Sequence, residues 1–228
     1  MRVMLTGSRG QLGTDLAREL QGRAQVVAHD RASLDLADPA AIAARVAEAR
    51  PDVIVNAAAY TAVDRAESDE AAARAVNATA PALLAAEARK AGALLVHYST
   101  DYVFDGTKGS PYVETDPTSP INAYGRTKLE GEGAIAASGC DHAILRTSWV
   151  YAPHGANFML TMLRLAATRP ELRIVADQRG APTSTRQLAR ATLALLSNLE
   201  RTRASSGIYH ATAAGELARR RGLSLIHI

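Results

Sequence analysis

Apolar and polar positions along the chain alternate between two spacings. Short, almost wholly apolar runs at 2–6, 25–29, 52–56, 94–99 and 142–148 have the length of strands buried on both faces. Between them lie longer stretches with helical spacing: from the first glycine cluster to about Leu20, 40–50, an alanine-rich stretch at 71–91 broken near Pro81 and ended by Gly92, and a helix entered at Ser119-Pro120. Strand, helix and strand in repetition predict right-handed crossovers and an α/β fold with a doubly wound parallel sheet. Past Pro153 the alternation loosens into a helix at 157–168, a short strand at 172–175, a helix at 185–199 and a short strand at 207–210.

The first strand runs into Gly7-Ser8-Arg9-Gly10-Gln11-Leu12-Gly13 and then a helix. Glycines there let backbone amides approach a pyrophosphate at a helix N-terminus, where unpaired N–H groups and the helix dipole favour negative charge. The spacing is Gly-x-x-Gly-x-x-Gly, so the second strand matters: it ends at Asp30, about where a carboxylate would accept from an adenosine ribose hydroxyl. That favours NAD, whereas the adjacent Arg31 could pair with a 2′-phosphate and favours NADP; the choice stays open. Asp35-Leu36 follows, either against the adenine or with the aspartate capping the helix after Pro39. Ala57-Ala58-Ala59-Tyr60-Thr61 leaves the third strand with small side chains where a cofactor would cross.

Tyr124 and Lys128 lie four apart, on one helix face. An ammonium roughly 4 Å from a phenol with a pKa of about 10 stabilises its anion by about 4 kcal/mol at an effective dielectric of 20. That predicts a Tyr124 pKa near neutrality and a proton donor to a carbonyl oxygen. Any amphipathic helix can place an aromatic beside a snorkelling lysine, so the pair gains weight only from the glycine turn and from the strand ending Tyr98-Ser99-Thr100-Asp101.

The 228 residues are 47% hydrophobic and 21% charged, enough for one substantial core and part of a second. A formal charge of +3 with scattered basic residues points away from nucleic acid and membrane surfaces. A single cysteine, Cys140, and an amino terminus that runs straight into a strand are expected of a cytoplasmic protein. The six histidines lack ligand spacing, so no metal is expected, and His97, Ser99 and Asp101 at alternate strand positions cannot form a hydrolytic relay.

Gly7-x-x-Gly10-x-x-Gly13, Val55-Asn56-Ala57-Ala58-Ala59, Ser99-Thr100-Asp101-Tyr102-Val103-Phe104 and Tyr124-x-x-x-Lys128 together resemble the extended short-chain dehydrogenase/reductases. Arg146-Thr147-Ser148-Trp149-Val150-Tyr151 and Asp177-Gln178-Arg179-Gly180-Ala181-Pro182-Thr183 narrow the resemblance to the dTDP-4-dehydrorhamnose reductase family, through about residue 216. The resemblance implies a Rossmann-like dinucleotide-binding domain at 1–150, mixed elements at 151–216 that complete the sheet and begin a smaller, incomplete substrate lobe, and an atypical tail at 217–228. It implies reduction of the 4-keto group of dTDP-6-deoxy-L-lyxo-4-hexulose with NADPH or NADH. The alternatives are a nucleotide-sugar epimerase or dehydratase of the same superfamily, or a non-catalytic regulatory subunit.

By position, the resemblance implies that Tyr124 protonates the alkoxide, Lys128 holds the nicotinamide ribose, and Thr100 bonds the same oxygen. Gly7, Gly10, Gln11, Leu12 and Gly13 would hold the pyrophosphate; Asp30, Arg31, Asp35 and Leu36 the adenosine end; Ala59, Tyr60 and Thr61 the middle of the cofactor. Thr100, Asp101 and Trp149 would meet the dTDP-sugar. A homodimer is left open, but Asp15 and Arg186 stand where metal-bridged members carry glutamates, which argues against such a bridge. Family-like sequence stops after Glu216, and the residues beyond are expected to pack poorly and to limit turnover while nucleotide binding survives.

Overall fold

The computed structural model describes residues 1–172, 174, 178–215 and 217–218. The first half comprises β1 (Arg2–Thr6), α1 (Gln11–Leu20), β2 (Gln25–His29), α2 (Pro39–Ala49), β3 (Val53–Asn56), α3 (Val63–Ala66), α4 (Glu70–Arg74), a π turn (Ala75–Thr79), α5 (Ala80–Ala91) and β4 (Leu94–Thr100). A 3-10 turn (Asp101–Val103) leads on to α6 (Ala123–Ala137), β5 (His142–Thr147), β6 (Val150–Tyr151), α7 (Phe158–Ala166), β7 (Arg179–Gly180) and β8 (Thr183–Ser184). The last elements are α8 (Thr185–Ser197), α9 (Leu199–Ala204), β9 (Gly207–His210) and β10 (Leu217–Ala218).

One parallel sheet runs β2-β1-β3-β4-β5-β9. Its winding direction reverses between β1 and β3, which opens a crevice at their carboxyl ends. Alternate residues of each strand serve opposite faces, as expected of a sheet covered on both sides. Val3, Leu5, Val55 and Val96 pack with Leu16 and Leu20 of α1 and with Ala189 and Leu196 of α8. Met4, Ile54, Leu95 and Ile144 pack on the other side with Ile42 and Val46 of α2, Leu84 and Ala88 of α5 and Ile135 of α6. The late strand expected at 207–210 is β9, which extends the sheet parallel to β5.

Several expectations are corrected. The alanine-rich stretch is interrupted near Pro81 as expected, but by a π turn at 75–79 that keeps the helical path and leads directly into α5, whose first turn holds Pro81. The helix carrying Tyr124 starts at Ala123, not Ser119, because the Asn122 side chain accepts from the Gly125 N–H at 2.7 Å and caps it. Glu67 reinforces this end by accepting from the Ala123 N–H at 2.6 Å. Asp38, not Asp35, caps α2, accepting from the Ala40 and Ala41 N–H groups. The strand expected at 172–175 falls partly, and the tail at 219–228 entirely, outside the described residues. Leu217–Ala218, expected to lack a partner, pair antiparallel with Arg179–Gly180.

Two glycines set the depth at which α6 lies. A Cβ at Gly125 would sit 2.2 Å from the Tyr102 carbonyl oxygen, and one at Gly131 would sit 2.2 Å from the Asn77 carbonyl oxygen in the π turn. Gly133 on the same helix has nothing within 4 Å. Gly131→Ala should therefore destabilise by about 1–3 kcal/mol through overpacking against backbone, lowering the melting temperature by roughly 2–10 °C. Gly133→Ala should be neutral or stabilise by up to about 1 kcal/mol. Thermal melts of the two variants side by side check this, and equal effects would refute the packing argument.

Candidate active site

A cavity of about 1240 Å³ runs along the carboxyl ends of the sheet, from the glycine turn past the third and fourth strands to Trp149 and α7. At one end Gly7 takes φ +67°, with backbone atoms of Ala57 and Ala58 within 2.9 Å of where a Cβ would be. Only glycine fits both demands. Gly10 caps α1 with no side-chain hydrogen bond, and the first turn carries no acidic residue, so the amides opening this helix face the cavity uncapped. Gly7, Gly10, Gln11 and Leu12 line it, and this cradle fits a pyrophosphate. Gly13 does not line it: a Cβ there would lie 2.0 Å from the Gly7 carbonyl oxygen, so its role is to let α1 pack against the turn.

Asp30, Arg31, Asp35 and Leu36, expected at the adenosine end, line the cavity. Asp30 accepts from the Ala32 and Ser33 N–H groups at 3.1 and 3.0 Å and from the Ser33 hydroxyl, and its carboxylate lies 3.5 Å from Arg9. The Ser33 bonds first, then Ala32 and Arg9, hold its carboxyl below the usual range. Arg31 is exposed beside it. Asp35 closes a local turn by accepting from the Ala37 N–H at 2.9 Å.

The middle segment Ala59, Tyr60 and Thr61 also lines the cavity. Asn77, buried in the π turn, clamps it: its Oδ1 accepts from the Tyr60 N–H at 2.9 Å, and its Nδ2 donates to the Tyr60 carbonyl at 3.0 Å and to Thr127 of α6 at 3.3 Å. One side chain thus ties the cavity wall to the helix that carries Tyr124 and Lys128. Sequence reading gave Asn77 no role, because its partners lie 17 and 50 positions away.

Thr100, Tyr124 and Lys128 converge at the floor. Thr100 stands beside the Tyr124 phenol, near enough for its hydroxyl to stabilise the phenolate, and Tyr102 meets the same ring edge to face at 5.6 Å. The expected drop in the Tyr124 pKa does not occur. Burial pushes it up to about 12, aided by the nearby Asp101 charge, and the Thr100 hydroxyl offsets only part of this. Lys128 does not supply the counter-charge, because its amine donates to the Tyr98 carbonyl at 2.6 Å and meets His97 Nε2 at 3.1 Å. Burial brings Lys128 itself down to about 8, with Glu132 opposing.

Asp101 and Trp149 stand at the remaining end. Asp101 accepts from the Ser148 hydroxyl at 2.7 Å and from Thr100 at 3.2 Å, while burial raises its pKa. Trp149 takes φ +45°, a conformation costly for a bulky residue. Its indole fills the place of the missing Gly180 Cβ, which would lie 2.6 Å from the ring. Asp177 of the same motif lies outside the described residues.

Comparison with known proteins agrees with this geometry. The family model described as RmlD substrate binding domain matches residues 1–222. The dTDP-4-dehydrorhamnose reductase of Burkholderia thailandensis is 55% identical over 95% of this chain and 74% of its own length. Among solved structures, the enzyme of that name from Clostridium acetobutylicum superposes with a TM-score of 0.94 at 39% identity, covering 99% of this chain and 79% of that one. The enzyme from Bacillus anthracis, solved in complex with NADP, gives 0.91 at 35% identity, with 100% and 81% covered. An uncapped glycine cradle, a Thr-Tyr-Lys floor and these likenesses along nearly the whole sequence have one reading: the chain belongs to the dTDP-4-dehydrorhamnose reductase family.

Proposed function

We propose that this protein reduces the 4-keto group of dTDP-6-deoxy-L-lyxo-4-hexulose to give dTDP-L-rhamnose, using NADPH or NADH. The observation that carries it is the convergence of Thr100 and Tyr124 in the same cavity as the glycine cradle. When bound, the nicotinamide cofactor supplies hydride to the carbonyl carbon. The residues of the chain then handle the oxygen. Tyr124, whose pKa is pushed up to about 12, keeps its proton at neutral pH and gives it to the developing alkoxide. Thr100 donates to the same oxygen as charge builds on it. Lys128 is the residue for the nicotinamide ribose, and Asp101 and Trp149 those for the sugar nucleotide.

Residues 1–150 form the cofactor domain in this reading, and 151–216 supply the substrate end, with Trp149, Phe158 and Met159 against the cavity. Among the described residues no helix is long and apolar enough to cross a membrane. Asp15 is turned inward, bonded to Thr185 and lying 3.2 Å from Arg18 and 3.6 Å from His154, so self-association would not run through a metal on this residue.

Three results check the reading. Tyr124→Phe should lower turnover about a hundredfold or more with cofactor affinity near that of the parent, since general acid catalysis is lost and packing is kept. Stoichiometric NADPH oxidation with the keto sugar nucleotide separates a reductase from an epimerase, which would return the cofactor unchanged. With Asp30 and Arg31 adjacent, both cofactors should work, and Arg31→Ala should weaken NADPH selectively. An equal loss with NADH would remove Arg31 from the site.

A further inference from the structure

Below the cavity floor a row of buried polar side chains crosses the sheet. Thr6 on β1 stands opposite Asn56 on β3, and Asn56 opposite His97 on β4, all in register and all nearly inaccessible to solvent. Lys128, reaching down from α6 and equally buried, ends the row. The Thr6 hydroxyl lies 2.6 Å from Asn56 Oδ1, Asn56 Nδ2 lies 3.0 Å from His97 Nδ1, and His97 Nε2 lies 3.1 Å from Lys128 Nζ.

The protons in this row can be assigned from one end. The backbone N–H of Ala58 can only donate, and it points at Asn56 Oδ1 at 3.3 Å, which fixes the amide with Nδ2 toward the histidine. An NH₂ group also only donates, so His97 Nδ1 is the acceptor and the single proton of the neutral ring is on Nε2. That N–H faces Lys128. An ammonium has three donors and no lone pair, so the pairing is satisfied only if Lys128 is the amine, accepting from His97 while it donates to the Tyr98 carbonyl at 2.6 Å.

The charges around the pair do not overturn this. Glu132, one turn along α6, favours the ammonium, but Arg146 of β5 holds its carboxylate through three contacts of 2.6–3.2 Å. From the β4 side, Asp101 is engaged with Ser148 and Thr100, and Tyr124 keeps its proton. From α4, Glu70 and Arg74 pair with Arg126 and Glu130 on the outer face of α6. Burial keeps the His97 ring well below its ordinary value and therefore neutral.

We propose that His97, oriented by Asn56, is a positioning residue that favours the neutral amine of Lys128 in the chain free of nucleotide and holds it in that form under mildly alkaline conditions. The lysine then becomes an ammonium by taking a proton from solvent when a ribose hydroxyl, which can accept, replaces the His97 N–H beside it. The first statement concerns the chain alone and stands apart from the proposed reaction; the second rests on nicotinamide nucleotide binding in this cavity.

The chain has only three lysines, Lys90, Lys108 and Lys128, and six histidines, so nuclear magnetic resonance can follow each one. At pH 9 the nitrogen shifts of His97 should show Nε2 protonated and Nδ1 bare; the opposite tautomer overturns the proposal, and this measurement needs no variant. In a carbon-13 titration Lys128 should have its midpoint near 8. His97→Phe keeps the site apolar but removes the donor, so the midpoint should rise by about one unit, a tenfold change in the proton equilibrium. A histidine that merely accepted from an ammonium would give a fall, and a fall or no change sinks the idea. The alkaline limb of the turnover profile should move with the same sign.

Calorimetry of NADPH binding at pH 9, in buffers of different ionisation heat, should show proton uptake that shrinks in His97→Phe. Binding without uptake overturns the second statement. Failure to bind NADPH at all would instead refute the reductase reading and leave the tautomer result standing.

Discussion

The closeness of α6 to the sheet is the constraint on which the site depends. Tyr124 and Lys128 reach the cavity floor only because Gly125 and Gly131 bring the helix onto two backbone carbonyls, at Tyr102 and Asn77. Both carbonyls belong to turns of unusual winding, a 3-10 turn and a π turn. The π turn in addition aims Asn77 at Tyr60 and Thr127, so the element that receives the helix also holds the cavity wall. Depth of packing and placement of Tyr124 and Lys128 are thus one structural fact.

That depth sets the electrostatics. Lys128 is among the most buried side chains of the described residues, and a cation taken so far from water needs full compensation or loses its proton. It has one carbonyl and one imidazole, and Glu132 is already engaged by Arg146. Desolvation therefore wins over attraction at Lys128, and likewise at Tyr124. The attraction of about 4 kcal/mol expected between ammonium and phenolate holds only if the lysine is charged and faces the tyrosine. In this chain its hydrogen bonds run to Tyr98 and His97 instead. A phenol that retains its proton can still donate to the more basic alkoxide, although the upward shift makes it a weaker acid than the expected one.

The parallel sheet, the glycine turn and the residues of the floor were legible in the sequence because each depends on local pattern: apolar runs, glycine spacing and a four-residue interval. What escaped was set by contacts between distant segments. The Asn122 cap is a single side chain two positions from the proline that suggested the start. Gly13 fits the cofactor pattern, but its hydrogen faces the backbone of its own turn. His97 lies in an apolar strand and looks like a core histidine until the strand register places Asn56 on one side and α6 places Lys128 on the other. Sequence spacing carries no information about that row, since its members lie 31 to 50 positions apart.

Two walls of the cavity are joined by side chains as well as by the sheet. Asn157 caps α7 by accepting from the Leu160 N–H at 2.9 Å, and its amide donates to the Gln11 side chain at 2.8 Å and to the Ala152 carbonyl at 2.8 Å. Gly155, at φ +72°, lies against Gln11 at the same point; a Cβ there would be 2.9 Å from the glutamine Cγ. Gln11 opens the helix that follows the glycine turn, and α7 presents Phe158 and Met159 to the same cavity. A shift of either helix must therefore break or carry along the Gln11–Asn157 bond. The glycine turn and the α7 wall are consequently held in one frame.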